Sequence, residues 1–156
     1  MVLDYLSSTN YIKKLAFIGG TNIRLVKGID RFSENLDFDL RDMSEEEFIN
    51  MTNDVILFLQ RSGLNAEARD KSNANLTAFR RNIYFPQLLF DLQLTGHKEE
   101  RFLLKIEAQD QGVPYEPITV NVDGCGFFFP LPTPPDSILL SMKLAALLSR
   151  AKGRDR

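Results

Sequence analysis

The sequence contains one cysteine, one histidine and no tryptophan among 156 residues. Cys125 alone cannot close an internal disulfide or build a cysteine-rich zinc site, and His97 alone excludes a multi-histidine metal centre. No apolar run approaches the roughly 20 residues of a membrane-spanning helix, and no stretch has the layout of a secretory signal. With thiols this scarce, a reducing cytoplasm is the expected compartment. The formal net charge of −2 argues against a polybasic nucleic-acid binder and leaves only a local basic patch to consider. Repeats and low-complexity tracts are also missing. What remains is the composition of an ordinary globular chain, 44% hydrophobic and 26% charged. A chain of this length buries roughly two-thirds of its unfolded surface, enough for a core without staples.

The periodicities then divide the chain. Residues 1–14 read as short helical turns broken at Ser7-Ser8-Thr9-Asn10. Leu15-Ala16-Phe17-Ile18 is an apolar run suited to a buried strand, and it stops at Gly19-Gly20. A helix is expected over Thr21–Lys27, with Gly28 just past its end. Leu36–Leu40 alternates apolar and acidic residues, the period of a strand. Ser44 and Glu47 form a capping box that opens a helix running to Arg61, with Phe48, Met51, Val55, Phe58 and Leu59 inward and Gly63 ending it. Strands are expected over 64–70, 76–85, 101–108 and 118–122, while 87–94 fits either a strand or a short helix. The prolines of Phe127–Pro135 predict a rigid connector rather than an interior strand. Asp136 caps a last helix reaching about Ala151. The order of elements predicts a mixed β-sheet with helices on it.

Three features could carry chemistry. Ile18-Gly19-Gly20-Thr21 runs from a strand through two glycines into a helix, an arrangement that is either a plain turn or a cradle for phosphate at a helix N-terminus. Asp37 and Asp39, two apart on a strand, share one face, so their carboxylates either edge the solvent or converge on a cation. Divalent magnesium commonly uses one or two carboxylates together with substrate phosphates. Glu107, at the end of the apolar strand, either sits on the surface or completes a carboxylate triad that could hold two metals. Lys143 lies on a helix apolar nearly all round, sharing a face with Leu139 and Leu147. It either points into a cleft or snorkels to water. Arg24 and Arg31 flank the glycines and the acidic strand, placed to grip triphosphate or to pair with Asp30 and Glu34. The tail from Lys143 to Arg156 holds five basic residues against Asp155, suited to RNA phosphates or to a helix C-terminus. His97 reads as a solvated loop residue and Cys125 as incidental. Phe127-Phe128-Phe129 reads as core or an interface patch.

Taken together, Leu15–Leu25, then Arg31-Phe32-Ser33-Glu34-Asn35-Leu36-Asp37-Phe38-Asp39, Phe102–Glu107, Lys143 and Lys152-Gly153-Arg154-Asp155 resemble the nucleotidyl transferase AbiEii/AbiGii toxin family. The resemblance implies an α+β fold of the DNA polymerase beta-like kind, a mixed β-sheet flanked by helices. It divides into a core over residues 1–135 and a C-terminal helix with a late motif over 136–156. It implies metal-dependent transfer of a nucleoside monophosphate from a nucleoside triphosphate to an acceptor hydroxyl, with RNA or tRNA as acceptor, two Mg²⁺ ions, and a toxin role in a toxin–antitoxin or phage-defence system, beside a cognate antitoxin. Asp37, Asp39 and Glu107 would bind metal, with Glu107 as candidate base. Lys143 and Asp155 would complete the catalytic set, and Gly19, Gly20, Thr21, Arg24, Arg31 and Ser33 would hold the nucleotide. Asn35 stands where the family usually has aspartate. The family's late motif continues to a second aspartate beyond the equivalent of Arg156. The expectation is either a truncated member or a piece cut from a longer chain, and either would expose an apolar flank to self-association. A small-molecule acceptor, or an inactive remnant serving as a binding module, are the alternative functions.

Overall fold

A computed structural model describes residues 1–30, 33–69 and 78–154. Helix α1 (Val2–Ser7) and a 3-10 turn (Asn10–Lys14) lead into strand β1 (Leu15–Ile18). Helix α2 (Gly19–Lys27) follows, then β2 (Asn35–Leu40) and α3 (Glu45–Arg61). Next come β3 (Glu67–Ala68), β4 (Phe79–Phe85), α4 (Leu88–Asp91) and β5 (Phe102–Gln109). The chain closes with β6 (Ile118–Gly124), β7 (Phe127–Thr133) and α5 (Asp136–Arg154). This is the expected α+β architecture.

A five-stranded sheet has the order β1-β2-β5-β4-β3. Strand β2 is its pivot, antiparallel to β1 and parallel to β5, with Asp37 opposite Glu107 in register. The alternation in β2 buries Leu36, Phe38 and Leu40. On that side α3 packs through Phe48, Met51, Val55 and Leu59, and the Phe48 ring meets Phe79 of β4 at 5.6 Å. The helix starts where the sequence says it should: Ser44 Oγ accepts from the Glu47 N–H, and the Glu47 carboxylate accepts from the Ser44 N–H. Both bonds satisfy N–H groups that a helix start would otherwise leave unpaired.

Several boundaries differ from the sequence reading. Helix α2 begins at Gly19, so both glycines belong to its first turn rather than to a preceding loop. Gly28 does end it, in the left-handed conformation. The strand expected over 64–70 reduces to Glu67–Ala68 among the described residues, and 87–94 resolves as the short helix α4. The largest difference is Phe127–Thr133, which is not a connector but strand β7, antiparallel to β6 in a two-stranded sheet. Pro130 and Pro132 are two apart, so their missing N–H groups fall on the same edge of the strand, where an antiparallel pair makes no ladder bond. Phe129, Leu131 and Thr133 take the other parity and are buried. The hairpin closes through Cys125 and Gly126, both at positive φ, the backbone a two-residue turn requires.

The hairpin packs on β1, α1 and α2. A buried polar knot joins these parts. Asn22 Nδ2 donates to the Phe17 carbonyl at 2.7 Å and to Thr133 Oγ1 at 2.8 Å, while Thr133 Oγ1 donates to the same carbonyl at 3.0 Å. Lys27 of α2 also pairs with Asp136 at the start of α5, so both helices are tied together at the surface.

Candidate active site

The face of the sheet turned away from α3 carries the acidic residues. Asp37 lies between Ile18 of β1 and Glu107 of β5, and Glu107 lies between Asp37 and Arg80 of β4. Residues in register on adjacent strands project to the same side at about 4.8 Å spacing, so Asp37, Glu107 and Arg80 form one row. Helix α5 crosses above this row. Leu139, Met142, Lys143 and Ala146, one stripe of that helix, wall a cavity of about 240 Å³ whose floor includes Gly19, Asp37 and Glu107. Lys143 therefore points into a cleft. Leu147 does not share that wall: it is exposed, with Leu140, Leu144 and Leu148, on the outer side of the helix. An apolar helix packs only one stripe, so Leu147, expected beside Lys143, faces away from the cleft instead.

The glycine turn is fitted to Asp37. A Cβ placed on Gly19 would lie 2.1 Å from Asp37 Oδ2 and 2.7 Å from its Cβ. Gly19 also has a φ of 81°, a region that side chains with a Cβ rarely adopt. The Gly20 N–H donates to the Asp37 carboxylate. Burial pushes the Asp37 carboxyl above its usual range, and the neighbouring Glu107 pushes it further. Lys143, Lys105 and the Gly20 N–H oppose that shift. A half-buried pair of like charges beside two lysines and a helix N-terminus is a site that gains by taking up a cation and an anion together.

The three expected carboxylates do not form one cluster. Among the described residues no group of three or more acidic, histidine or cysteine side chains is disposed to hold a metal. Asp37 and Glu107 face the cavity, but the Asp39 carboxylate is buried and engaged. It accepts from the Gln111 N–H at 2.8 Å and from Tyr115 Oη at 2.5 Å. Arg41 stacks over the Tyr115 ring and donates to the Tyr115 carbonyl, closing that corner. Glu107 in turn is ion-paired with Arg80. Two oxygen-bearing side chains still suit Mg²⁺, which keeps most of its shell for water and phosphate. Asp37 and Glu107 are the residues that would hold such an ion, with Asp39 supporting the strand from one turn of the pleat away.

The other expected residues fall as follows. Thr21 is buried, and its hydroxyl meets Ser33 Oγ at 2.7 Å and the Asn35 carbonyl at 2.5 Å. Thr21 and Ser33 thus tie α2 to the entrance of β2 and do not line the cavity. Arg24 is exposed in the last turn of α2, also off the cavity. Arg31 and Asp155 lie outside the described residues. Sequence reasoning missed Arg80, Tyr115 and the Asn22–Thr133 knot. Alternation along Phe79–Phe85 could have put Arg80 on the polar face. Nothing local could have linked Tyr115 to Asp39, 76 residues away.

Two solved structures share this fold. One is the crystal structure of JHP933 from Helicobacter pylori, 20% identical, with a TM-score of 0.55 over 92% of this chain and 51% of that one. The other is a putative nucleotidyltransferase from H. pylori, 20% identical, with a TM-score of 0.54 over 92% of this chain and 53% of that one. The chain spans about half the length of both. The likeness establishes the fold, and the class comes from the family pattern. The sequence pattern of the nucleotidyl transferase AbiEii toxin, type IV toxin–antitoxin system, matches residues 2–156, and the chain belongs to that family. No curated protein is similar enough to match. No helix among the described residues is long and apolar enough to cross a membrane.

Proposed function

We propose that the chain transfers a nucleoside monophosphate from a nucleoside triphosphate to the hydroxyl of an RNA acceptor, tRNA in the first instance, as the toxin of a toxin–antitoxin pair. The observation that carries this reading is the placement of Asp37 and Glu107 side by side, under Lys143 and against the Gly19-Gly20 start of α2. In the reaction the acceptor oxygen bonds to the α-phosphorus, the bond from that phosphorus to the bridging oxygen breaks, and pyrophosphate leaves. The hydroxyl proton passes to Glu107. Mg²⁺, held by Asp37 and Glu107, would supply charge neutralisation for the phosphates. Lys143 contributes a second positive charge from the opposite wall, and the N–H groups of the α2 first turn lie beside the same cavity. Family membership suggests a cognate antitoxin as partner.

The test is incubation with α-labelled nucleoside triphosphates, Mg²⁺ and total tRNA. Label that appears on RNA with the native chain and vanishes with Asp37→Ala supports the reading. Label on no RNA under any nucleotide contradicts it.

A further inference from the structure

We propose that Arg80 is a tethered cation that neutralises Glu107 in the resting site and transfers to the nucleotide's phosphates when a divalent ion takes over the neutralisation of that carboxylate. The inference rests on the nucleotidyl-transfer reading of the same site and adds a phosphate-binding residue to it.

Arg80 stands directly opposite Glu107 in the β4–β5 pairing, and Glu107 stands directly opposite Asp37. The guanidinium contacts Glu107 Oε1, an atom that is buried and has no hydrogen bond of good geometry. Without Arg80, the row would be two adjacent carboxylates on one face with only the lysines nearby. A guanidinium there reduces their repulsion. It meets Glu107 from the β4 side, while an ion held by Asp37 and Glu107 would draw on the same carboxylate from the β2 side. A divalent ion and a guanidinium, both attracted to one carboxylate a few ångströms apart, repel each other. Arrival of the ion therefore weakens the hold of Glu107 on Arg80. The side chain of Arg80 is about one-third exposed and rooted two strands from Asp37, so it can swing without unpacking the core. A phosphate drawn into the cavity over this row would be open to a side chain this long, and the planar fork suits a phosphate in a way a lysine does not.

The proposal makes two effects of opposite sign from one substitution. In Arg80→Gln, Mn²⁺ alone binds about 3–10-fold more tightly, because a competing positive charge has gone. The same variant binds Mn²⁺ with a non-hydrolysable nucleoside triphosphate about 10-fold more weakly, because the phosphate partner has gone. Arg80→Lys, which keeps the charge, retains the native Mn²⁺ affinity and recovers part of the nucleotide affinity. Calorimetric titration of native protein, Arg80→Gln, Arg80→Lys and Asp37→Ala with each probe gives the answer. Opposite shifts in Arg80→Gln, with rescue by Arg80→Lys, support the exchange. If Arg80→Gln shifts both probes the same way or neither, the exchange is overturned while the nucleotide site stands, provided Asp37→Ala still loses nucleotide. If native protein and Asp37→Ala bind nucleotide equally poorly, the nucleotidyl reading fails and takes the exchange with it.

Discussion

Gly19→Ala is the substitution that most sharply separates backbone strain from damage to the site. The new Cβ would approach Asp37 Oδ2 to 2.1 Å, where ordinary contact begins at 3.4 Å, so the carboxylate must retreat by roughly 1 Å. A misplacement of that size at a reacting centre costs about 100-fold in rate. The positive φ of Gly19 adds about 1–2 kcal/mol of strain for alanine. Gly28 provides the control. It also has positive φ, 65°, but a Cβ there meets nothing within 4 Å. Gly28→Ala should therefore cost the same 1–2 kcal/mol, a fall in Tm of roughly 2–8 °C, with nucleotide binding unchanged. Gly19→Ala should match or exceed that fall and lose at least about 10-fold in affinity for Mn²⁺ with a non-hydrolysable nucleoside triphosphate. The assay is thermal unfolding beside calorimetric titration for both variants. Equal nucleotide affinity in Gly19→Ala and Gly28→Ala would refute the claim that the glycine exists to seat Asp37.

Further outcomes follow from the same geometry. Asp37→Asn removes a half-buried charge that desolvation and Glu107 disfavour, so it should raise Tm at neutral pH while abolishing transfer. Because the folded state holds the Asp37 proton more tightly than the unfolded chain does, the gain is full at neutral pH and closes as the pH falls through the folded and then the unfolded Asp37 pKa, as a pH series of Tm values would reveal. Tyr115→Phe takes one donor from the buried Asp39 carboxylate and should cost about 2 kcal/mol in denaturant unfolding. Burial and the bond to Asp39 push the Tyr115 phenol far above its ordinary value. The unfolded chain therefore loses that proton first, and native stability should fall as pH rises above about 10, less steeply in the variant. Ser44→Ala breaks the capping box and should lower stability by about 1 kcal/mol with no change in nucleotide affinity.

Much of this fold could be read from local pattern. The alternation of Leu36–Leu40, the Ser44–Glu47 cap and the glycine at the end of α2 each depend on neighbours in sequence, and each took the conformation its chemistry prefers. The elements that escaped reading depend on register or on distant partners. Two prolines looked incompatible with a strand until pairing placed both on the non-bonded side of β7. Cys125 reads as incidental in the sequence because the positive φ it adopts is imposed by a hairpin whose second strand carries two prolines. In the site, the adjacency of Asp37 and Glu107 followed from family resemblance and was not deducible from spacing, since 70 positions separate them. By strand alternation alone Asp39 is the equal of Asp37, because both share a face. Their difference comes from Tyr115 and Gln111, which approach from a segment with no local signal.

The most direct test of the acidic row is an anomalous difference map from crystals grown with Mn²⁺ and a non-hydrolysable nucleoside triphosphate. The account predicts a manganese peak bridging Asp37 and Glu107, with phosphates running toward the Gly19-Gly20 turn and Lys143. A nucleotide bound elsewhere, or manganese on neither carboxylate, would contradict it.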